Sequence, residues 1–448
     1  MSIPRVVVLG GGLSGLAAAY TLARAGWKHV TVVERGSQLG GLAGTFEADG
    51  HFYPLAYHHI LHRDQGLLYF LDRIGALRDV RWRKVRMLFR LDGRMYDLAD
   101  PVDFLRFPMS LTDKLRFVRL MTRCFVKSDW TDWHERSAAE LVDEWGGPGV
   151  RQAIFDPLAR LKFDRPCDEV SGAWLGARLN FREGSAPLGY IPGSNWTKVL
   201  CDGVSDLIER ASVRVRAGTS VVRLVGDGDS IARVELDDGE SLAADLVVSA
   251  VPTEVYRELL GESRPELEAI QYTAIVSAIF TTRQTIRPDF YWMNLASLDC
   301  SACGIFALNS LNPTIGGPGE TCLNIMSHVR SRKDAFFNQS DEQILTSYRA
   351  DFRRVFGFEI TPVWSKLNRL PMYSPVFYRG YRNPPLRDSR LRNVYLAGNY
   401  RTFPSIASTG TALRSGVETG AAMLSDHGCT TDLPDAIGRF RLASTPKG

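Results

Sequence analysis

At 448 residues, with 45% apolar and 23% charged side chains, the chain has the length for two or three domains and the composition of an ordinary water-soluble protein. A formal charge of +4 is too small for this length to argue for nucleic acid, and no nucleic-acid partner is expected. Seven scattered cysteines exclude a disulfide framework and fit a reducing compartment, and no run of roughly 18 apolar residues is present to span a membrane. The expected location is the cytoplasm, with peripheral association at the cytoplasmic face of a membrane left open.

The first 45 residues read as strand, glycine turn, helix, strand. Val6-Val7-Val8-Leu9 is a buried strand, Gly10-Gly11-Gly12-Leu13-Ser14-Gly15 a tight turn into a helix stopped by Gly26, and Thr31-Val32-Val33-Glu34-Arg35 a second strand. The chemistry follows from this order. Gly10 makes the turn, Gly12 lets a pyrophosphate approach the backbone, and Gly15 lets the helix pack on the strand. The helix amino end offers free amides and a positive dipole end, and Glu34, about 20 residues on, can accept from a ribose hydroxyl. The apolar run from Val6 has the look of a signal peptide, but only Arg5 precedes it, and cleavage would destroy the turn.

Further along come Gly40-Gly41-Leu42 and an aromatic, histidine-rich stretch over 51–62. Asp49-Gly50 and Asp92-Gly93 predict two hairpins. Residues 67–77 have helical spacing, and 103–161 are helical with breaks at Pro108, Gly146-Gly147-Pro148 and Pro157. From Val213 strand patterns return, and 245–252 predicts a buried parallel strand ending at a ligand face. Residues 262–384 are mixed, with strands near 274–281 and 321–328. Residues 392–420 repeat the strand–glycine–helix style of the amino end, and the polar segment after 430 is expected to be loose. The alternation predicts two domains, each built from discontinuous segments.

Three separated motifs carry a family resemblance: Gly10-x-Gly12-x-x-Gly15 with Glu34; Gly40-Gly41 after Glu34-Arg35; and Asn393-Val394-Tyr395-Leu396-Ala397-Gly398-Asn399 followed by residues 404–412 and Ser415-Gly416. Together they resemble the flavin-containing amine oxidase, protoporphyrinogen oxidase and phytoene desaturase superfamily. The resemblance implies an α/β fold, with a Rossmann-like FAD-binding domain over 1–80, 205–260 and 385–430 and a discontinuous α+β substrate domain over 81–204 and 261–384, leaving 431–448 as a tail. It implies FAD, held at the pyrophosphate by Gly10, Gly12, Leu13, Ser14 and Gly15, at the ribose by Glu34 and Arg35, and along its ribityl and phosphate side by Gly40, Gly41 and Leu42. The adenine strand falls at Val222, or Val221 beside it, by register. Gly398 and Asn399 return to the pyrophosphate, with Asn399 standing where many relatives carry an acid. Ser408, Thr409 and Gly410 open a last helix whose positive end should face the flavin.

A flavin carries the hard step itself, so few catalytic residues are needed. The resemblance places Tyr57, His58 and His59 beside it; the histidines are candidate acid, base or substrate donor, or else a structural pair bonded to backbone. Tyr57, Tyr190, Trp196, Tyr291, Trp292, Tyr373 and Phe377 are candidates to line an apolar substrate pocket. No metal is expected, because His51, His58, His59 and His62 lack an acid or thiol at ligand spacing. Cys300-Ser301-Ala302-Cys303 has redox-motif spacing without a second pair and is read as packed thiols, as are Cys167 and Cys322.

Amine-oxidising members carry a lysine on the strand corresponding to 274–280, which has none here. The expected reaction is therefore hydride transfer from a hydrophobic small molecule to FAD, desaturase-like or protoporphyrinogen-oxidase-like, with oxygen, a quinone or another acceptor taking the electrons. The alternative is a non-redox flavin-dependent isomerase resembling the UDP-galactopyranose mutases, which bind nucleotide-sugars through arginines. The cluster Arg81, Arg83, Lys84, Arg86, Arg90 and Arg94 is compatible with that, with membrane headgroups, or with a solvated face.

Overall fold

The computed structural model describes residues 3–181, 186–295 and 300–442. Its centre is a five-stranded sheet in the order Val394–Leu396, Leu246–Ser249, Val6–Leu9, Val30–Glu34, Arg214–Ala217. Every neighbouring pair is parallel, and the first three of these strands are buried at every residue. Parallel strands covered on both faces read as unbroken apolar runs, which is how 6–9 and 246–249 read. The sheet thus joins stretches of chain nearly 400 residues apart in sequence (Val6 to Leu396, 390 positions).

Two helices, Leu13–Arg24 and Thr409–Asp426, pack on each other beside this sheet. Glycine sets their separation. A Cβ on Gly416 would lie 2.0 Å from the Ser14 carbonyl oxygen, and one on Gly420 would lie 2.8 Å from Thr21 Cβ. Ser14 Oγ donates to the Ala412 carbonyl at 2.9 Å. The meeting points 14/412, 14/416 and 21/420 advance together along both helices, so the helices run parallel and their amino ends face the same way.

A second sheet of seven strands runs in the order Pro362–Pro375, Tyr272–Thr282, Thr321–Val329, Gly304–Ala307, Trp292–Asn294, Met87–Leu91, Arg94–Asp97. It is antiparallel except where Trp292–Asn294 meets Met87–Leu91. Both expected hairpins form, each with two consecutive left-handed residues at its tip: Asp49 and Gly50 at φ 48° and 73°, Asp92 and Gly93 at 49° and 76°. The helical stretch after 100 is more continuous than its breakers suggest. A π-helical turn, Arg151–Phe155, links Pro148–Val150 to Asp156–Phe163 and absorbs Pro157 in the first turn of the latter.

As far as residue 442, the segment beyond 430 is not loose, as its polarity had implied; residues 443–448 lie outside the described residues. Leu433–Arg439 is a helix whose Leu433 and Ile437, four apart and therefore on one face, are buried in the core under the parallel sheet's helices. Two well-placed apolar side chains outweigh the composition around them.

Gly416→Val should push the two long helices apart, since the backbone oxygen of Ser14 has nowhere to retreat. The expected loss is about 1–3 kcal/mol of stability in chemical denaturation, typical of overpacking; a variant as stable as wild type would show that the crossing can open freely.

Candidate functional site

The site begins where parallel strands end. Gly10 leaves the first strand at φ +97°. Gly12 caps the helix Leu13–Arg24 with no side chain, which leaves the first-turn amides open to the space beyond. Facing Gly12 is the doublet: Gly40 and Gly41 have φ of +112° and +58°, Gly40 N donates to the Gly11 carbonyl at 2.8 Å, and a Cβ on Gly41 would lie 3.1 Å from Gly12 Cα. A Cβ on Gly12 would meet only Gly41 Cα, at 3.9 Å. Protein packing therefore does not demand glycine at 12; open space in front of it is the feature that fits a phosphate. Glu34 is fixed by two backbone donors, Gly11 N to Oε2 at 2.7 Å and Gly36 N to Oε1 at 2.8 Å.

These turns form one wall of a cavity of about 750 Å³. Along the carboxyl ends of the parallel strands it is lined by Leu9, Gly10, Gly12, Leu13, Ser14, Glu34, Arg35, Ala250 to Pro252, Gly398 and Asn399. Gly40, Gly41 and Leu42, and Ser408 and Thr409 at the start of the last long helix, also line it. The opposite wall comes from the loop after His51–Pro54, from two helices and from the seven-stranded sheet: Tyr57, His58 and His59; Lys162 and Arg178; Trp292 and Tyr373. Ligands in α/β sheets sit at this carboxyl edge.

Other expected residues lie elsewhere. Gly15 and Gly410 serve close packing, since a Cβ would fall 2.0 Å from the Gly10 carbonyl oxygen and 1.6 Å from Asp64 Oδ1, respectively. Val222 is 53% exposed, while Val221 lines the cavity with Thr219 and Ser220; strand alternation turns Val222 outward. Tyr190, Trp196, Tyr291 and Phe377 pack behind the cavity wall rather than on it. None of the basic cluster lines the cavity: Arg86 pairs with Asp97 and Asp103, and Arg90 is buried, donating to the Arg354 carbonyl at 3.1 Å. All seven cysteines are free thiols, and burial pushes Cys303 up to about 11.

The aromatic wall is tightly held. Tyr57 stacks on Phe306 with ring centroids 3.8 Å apart and planes 14° apart, and Trp292 lies 5.4 Å away. His58 Nδ1 is 2.8 Å from the Ala56 carbonyl, which can only accept, so Nδ1 carries the proton of the neutral ring. Burial lowers the His58 pKa, leaving a neutral imidazole with Nε2 as acceptor. Trp196 Nε1 donates to the His58 carbonyl at 3.3 Å, and His59 Nδ1 is 3.3 Å from Tyr291 Oη. Trp196 and Tyr291 thus act by fixing the two histidines.

Four residues on or beside the cavity had escaped sequence reasoning: Asp64, Lys162, Arg178 and His328. Asp64 caps the helix Gln65–Arg73, accepts from Leu67 N at 3.4 Å, and accepts from Ser408 Oγ, itself the cap of the last long helix, at 3.1 Å. Burial pushes its carboxyl up against the lowering pull of those donors. The sequence signal for it existed, as an Asp just ahead of a helical spacing. Lys162 on Asp156–Phe163 and Arg178 on Gly172–Phe181 come from sequence with no motif around them. Burial, with Arg178 second, pushes Lys162 down to about 7, and burial lowers Arg178 as well.

Gly12→Val should leave the fold intact, its new Cβ meeting nothing nearer than 3.9 Å, yet block the cradle. The expected outcome is a melting temperature like that of the cofactor-free protein and no flavin retained through gel filtration.

Comparison with known proteins agrees with this geometry. The sequence profile of flavin-containing amine oxidoreductases matches residues 13–424. A 15-cis-phytoene desaturase of Capsicum annuum is 22% identical, the match covering 94% of this chain and 78% of the relative. A coproporphyrinogen III oxidase of Mycobacterium leprae is 25% identical over 82% of this chain and 88% of its own. The structure of reduced UDP-galactopyranose mutase superposes with a TM-score of 0.75 at 16% identity, covering 97% of this chain and 98% of that one. The chain belongs to the flavin-containing amine oxidoreductase family and is an oxidoreductase enzyme with a flavin cofactor.

Proposed function

We propose that this oxidoreductase binds FAD and takes a hydride from an apolar small molecule, in the manner of a desaturase or a protoporphyrinogen oxidase. One observation carries the reading: a single cavity runs from a side-chain-free double turn at the carboxyl edge of a parallel sheet to a wall of stacked aromatics. When bound, the flavin supplies the two-electron acceptor. The chain's own groups do the rest. The amides of Leu13 and Ser14 and the Gly40-Gly41 backbone hold the diphosphate, Glu34 the ribose, and Val221 the adenine face. The amino end of Thr409–Asp426 favours negative charge on the ring system. Tyr57, Trp292 and Tyr373 exclude water and lay an apolar substrate flat, with neutral His58 Nε2 available as an acceptor. In this reading 1–80, 205–260 and 385–430 serve the cofactor, and 81–204 and 261–384 the substrate.

The strand Tyr272–Thr282 carries no lysine, which counts against amine oxidation. The non-redox alternative draws support from the mutase-like fold. The two part on one measurement. Anaerobic addition of 15-cis-phytoene or coproporphyrinogen III to the yellow holoprotein should bleach it, with reoxidation by air or a quinone. Turnover of a nucleotide-sugar with no acceptor present would select the isomerase, and a protein that retains no flavin after refolding with FAD would overturn both.

We also place the protein at a membrane surface. Val102 and Leu105 on Pro101–Arg106, and Leu111, Leu115, Val118, Phe125 and Val126 on Leu111–Val126, are exposed, Val126 at 77%. Residues 111, 115 and 118 share one helix face. The longer helix exposes Arg116, Arg119 and Arg123 against Asp113, a balance that suits anionic lipid. Just past it, Ser128 and Trp130 line a second cavity of about 560 Å³ that shares Asp64 and Ile406 with the first, a route for an apolar substrate. The protein should co-sediment with phosphatidylglycerol vesicles and weakly with phosphatidylcholine ones. A Leu115→Asp, Val118→Asp variant should stay in the supernatant; unchanged sedimentation would remove this face from consideration.

A further inference from the structure

The substrate end of the cavity holds two cationic side chains with no carboxylate partner among the described residues. Lys162 and Arg178 both line it, half-buried, and neither has an ion pair with any carboxylate among the described residues. The three acids on the cavity wall are otherwise engaged. Glu34 is held by Gly11 and Gly36, Asp64 by Leu67 and Ser408, and Glu258 by Arg332. Lys162 Nζ lies 5.7 Å over the Tyr373 ring, and Arg178 lines the cavity with Tyr57 and Tyr373, so the pair belongs to the aromatic wall and not to the glycine turns. Beside them His328 Nδ1 is buried with no hydrogen-bond partner among the described residues. Two like charges kept near each other without a counter-ion are costly. The helix bearing Lys162 follows directly on the π-helical turn Arg151–Phe155, a distortion that recurs at functional sites.

We propose that Lys162 and Arg178 form a subsite for the anionic head, a carboxylate or a phosphate monoester, of an amphipathic substrate whose apolar body lies along Tyr57, Trp292 and Tyr373. This deepens the oxidoreductase reading and rests on it. Arg178 supplies a fixed fork and Lys162 a compact charge. The groups facing Lys162 are His58, Arg178, Cys303, His328 and Tyr373. The two histidines are held neutral by burial, Cys303 is up at about 11, and burial raises Tyr373, while Lys162, pushed down to about 7, loses its proton as the pH rises through that value. An anion prefers the protonated amine. Its affinity should be greatest below pH 7 and fall as the pH rises above it.

The test is calorimetric binding to the holoprotein, its flavin content fixed spectrophotometrically beforehand so that loss of cofactor and loss of anion preference are read separately. The probes are 2-naphthoate, 2-naphthyl phosphate, and the neutral methyl 2-naphthoate and 2-naphthol. One or both anions should bind at least about tenfold more tightly than the neutral probes at pH 7, and whichever anion leads identifies the head group. Lys162→Gln should abolish the fall in affinity between pH 7 and 9. Arg178→Gln should erase most of the preference, and Arg178→Lys should keep part of it. Equal binding of charged and neutral probes, or an anion preference and pH profile unmoved by these variants in flavin-loaded protein, would overturn the proposal.

Discussion

The whole site depends on two stretches of backbone meeting without side chains. Gly12 and the Gly40-Gly41 doublet approach until a single Cβ on Gly41 would touch the opposing Cα at 3.1 Å. That contact is possible only because the doublet takes left-handed conformations that side chains resist. It fixes the first helix amino end, Glu34 and the floor of the cavity in one rigid arrangement. The parallel sheet supplies the platform, and the glycine-lined crossing of the two long helices brings a second amino end to the same edge. The aromatic wall and its cations hang from the other sheet, from the loop that carries Tyr57, and from the helical stretch between 101 and 181.

Electrostatics divide the cavity. On the cofactor side, backbone amides and helix ends offer partial positive charge, and the acids there are already bonded. Asp64 shows how closely the balance is kept: two helices begin on the same carboxylate, which lies 5% exposed between two cavities. Its presence uses part of the positive field of Thr409–Asp426. On the substrate side the positive charge comes from side chains instead, Lys162 and Arg178, beside neutral imidazoles and aromatic rings.

Much of this was legible in the sequence wherever backbone, not side-chain geometry, does the work. The turn at 10–15, the doublet, the return at 398–411 and both Asp-Gly hairpins each announce a backbone conformation that few residues can adopt. Val221 against Val222 could not be settled, because a one-residue register decides which face a strand residue occupies. Lys162 and Arg178 carried no local signal at all. They sit on different helices, and their meaning comes only from the distance to carboxylates, which sequence spacing does not encode. Trp196 and Tyr291, expected on the pocket wall, turned out one layer behind it, where an aromatic residue with a polar tip can hold a neighbour in place.

The order of strands in the parallel sheet has a consequence for biosynthesis. Strand Leu246–Ser249 is flanked by Val6–Leu9 on one side and by Val394–Leu396 on the other. As the chain leaves the ribosome, that second flank stays an open, apolar edge until nearly 400 residues have been made. Over the same interval Leu13–Arg24 lacks the helix that covers it. A nascent chain cannot close the cofactor cradle, and so cannot be stabilised by its ligand, before residues 394–409 have emerged. Truncation near the carboxyl end would therefore leave not a smaller enzyme but an unsealed sheet exposed to pairing with its neighbours.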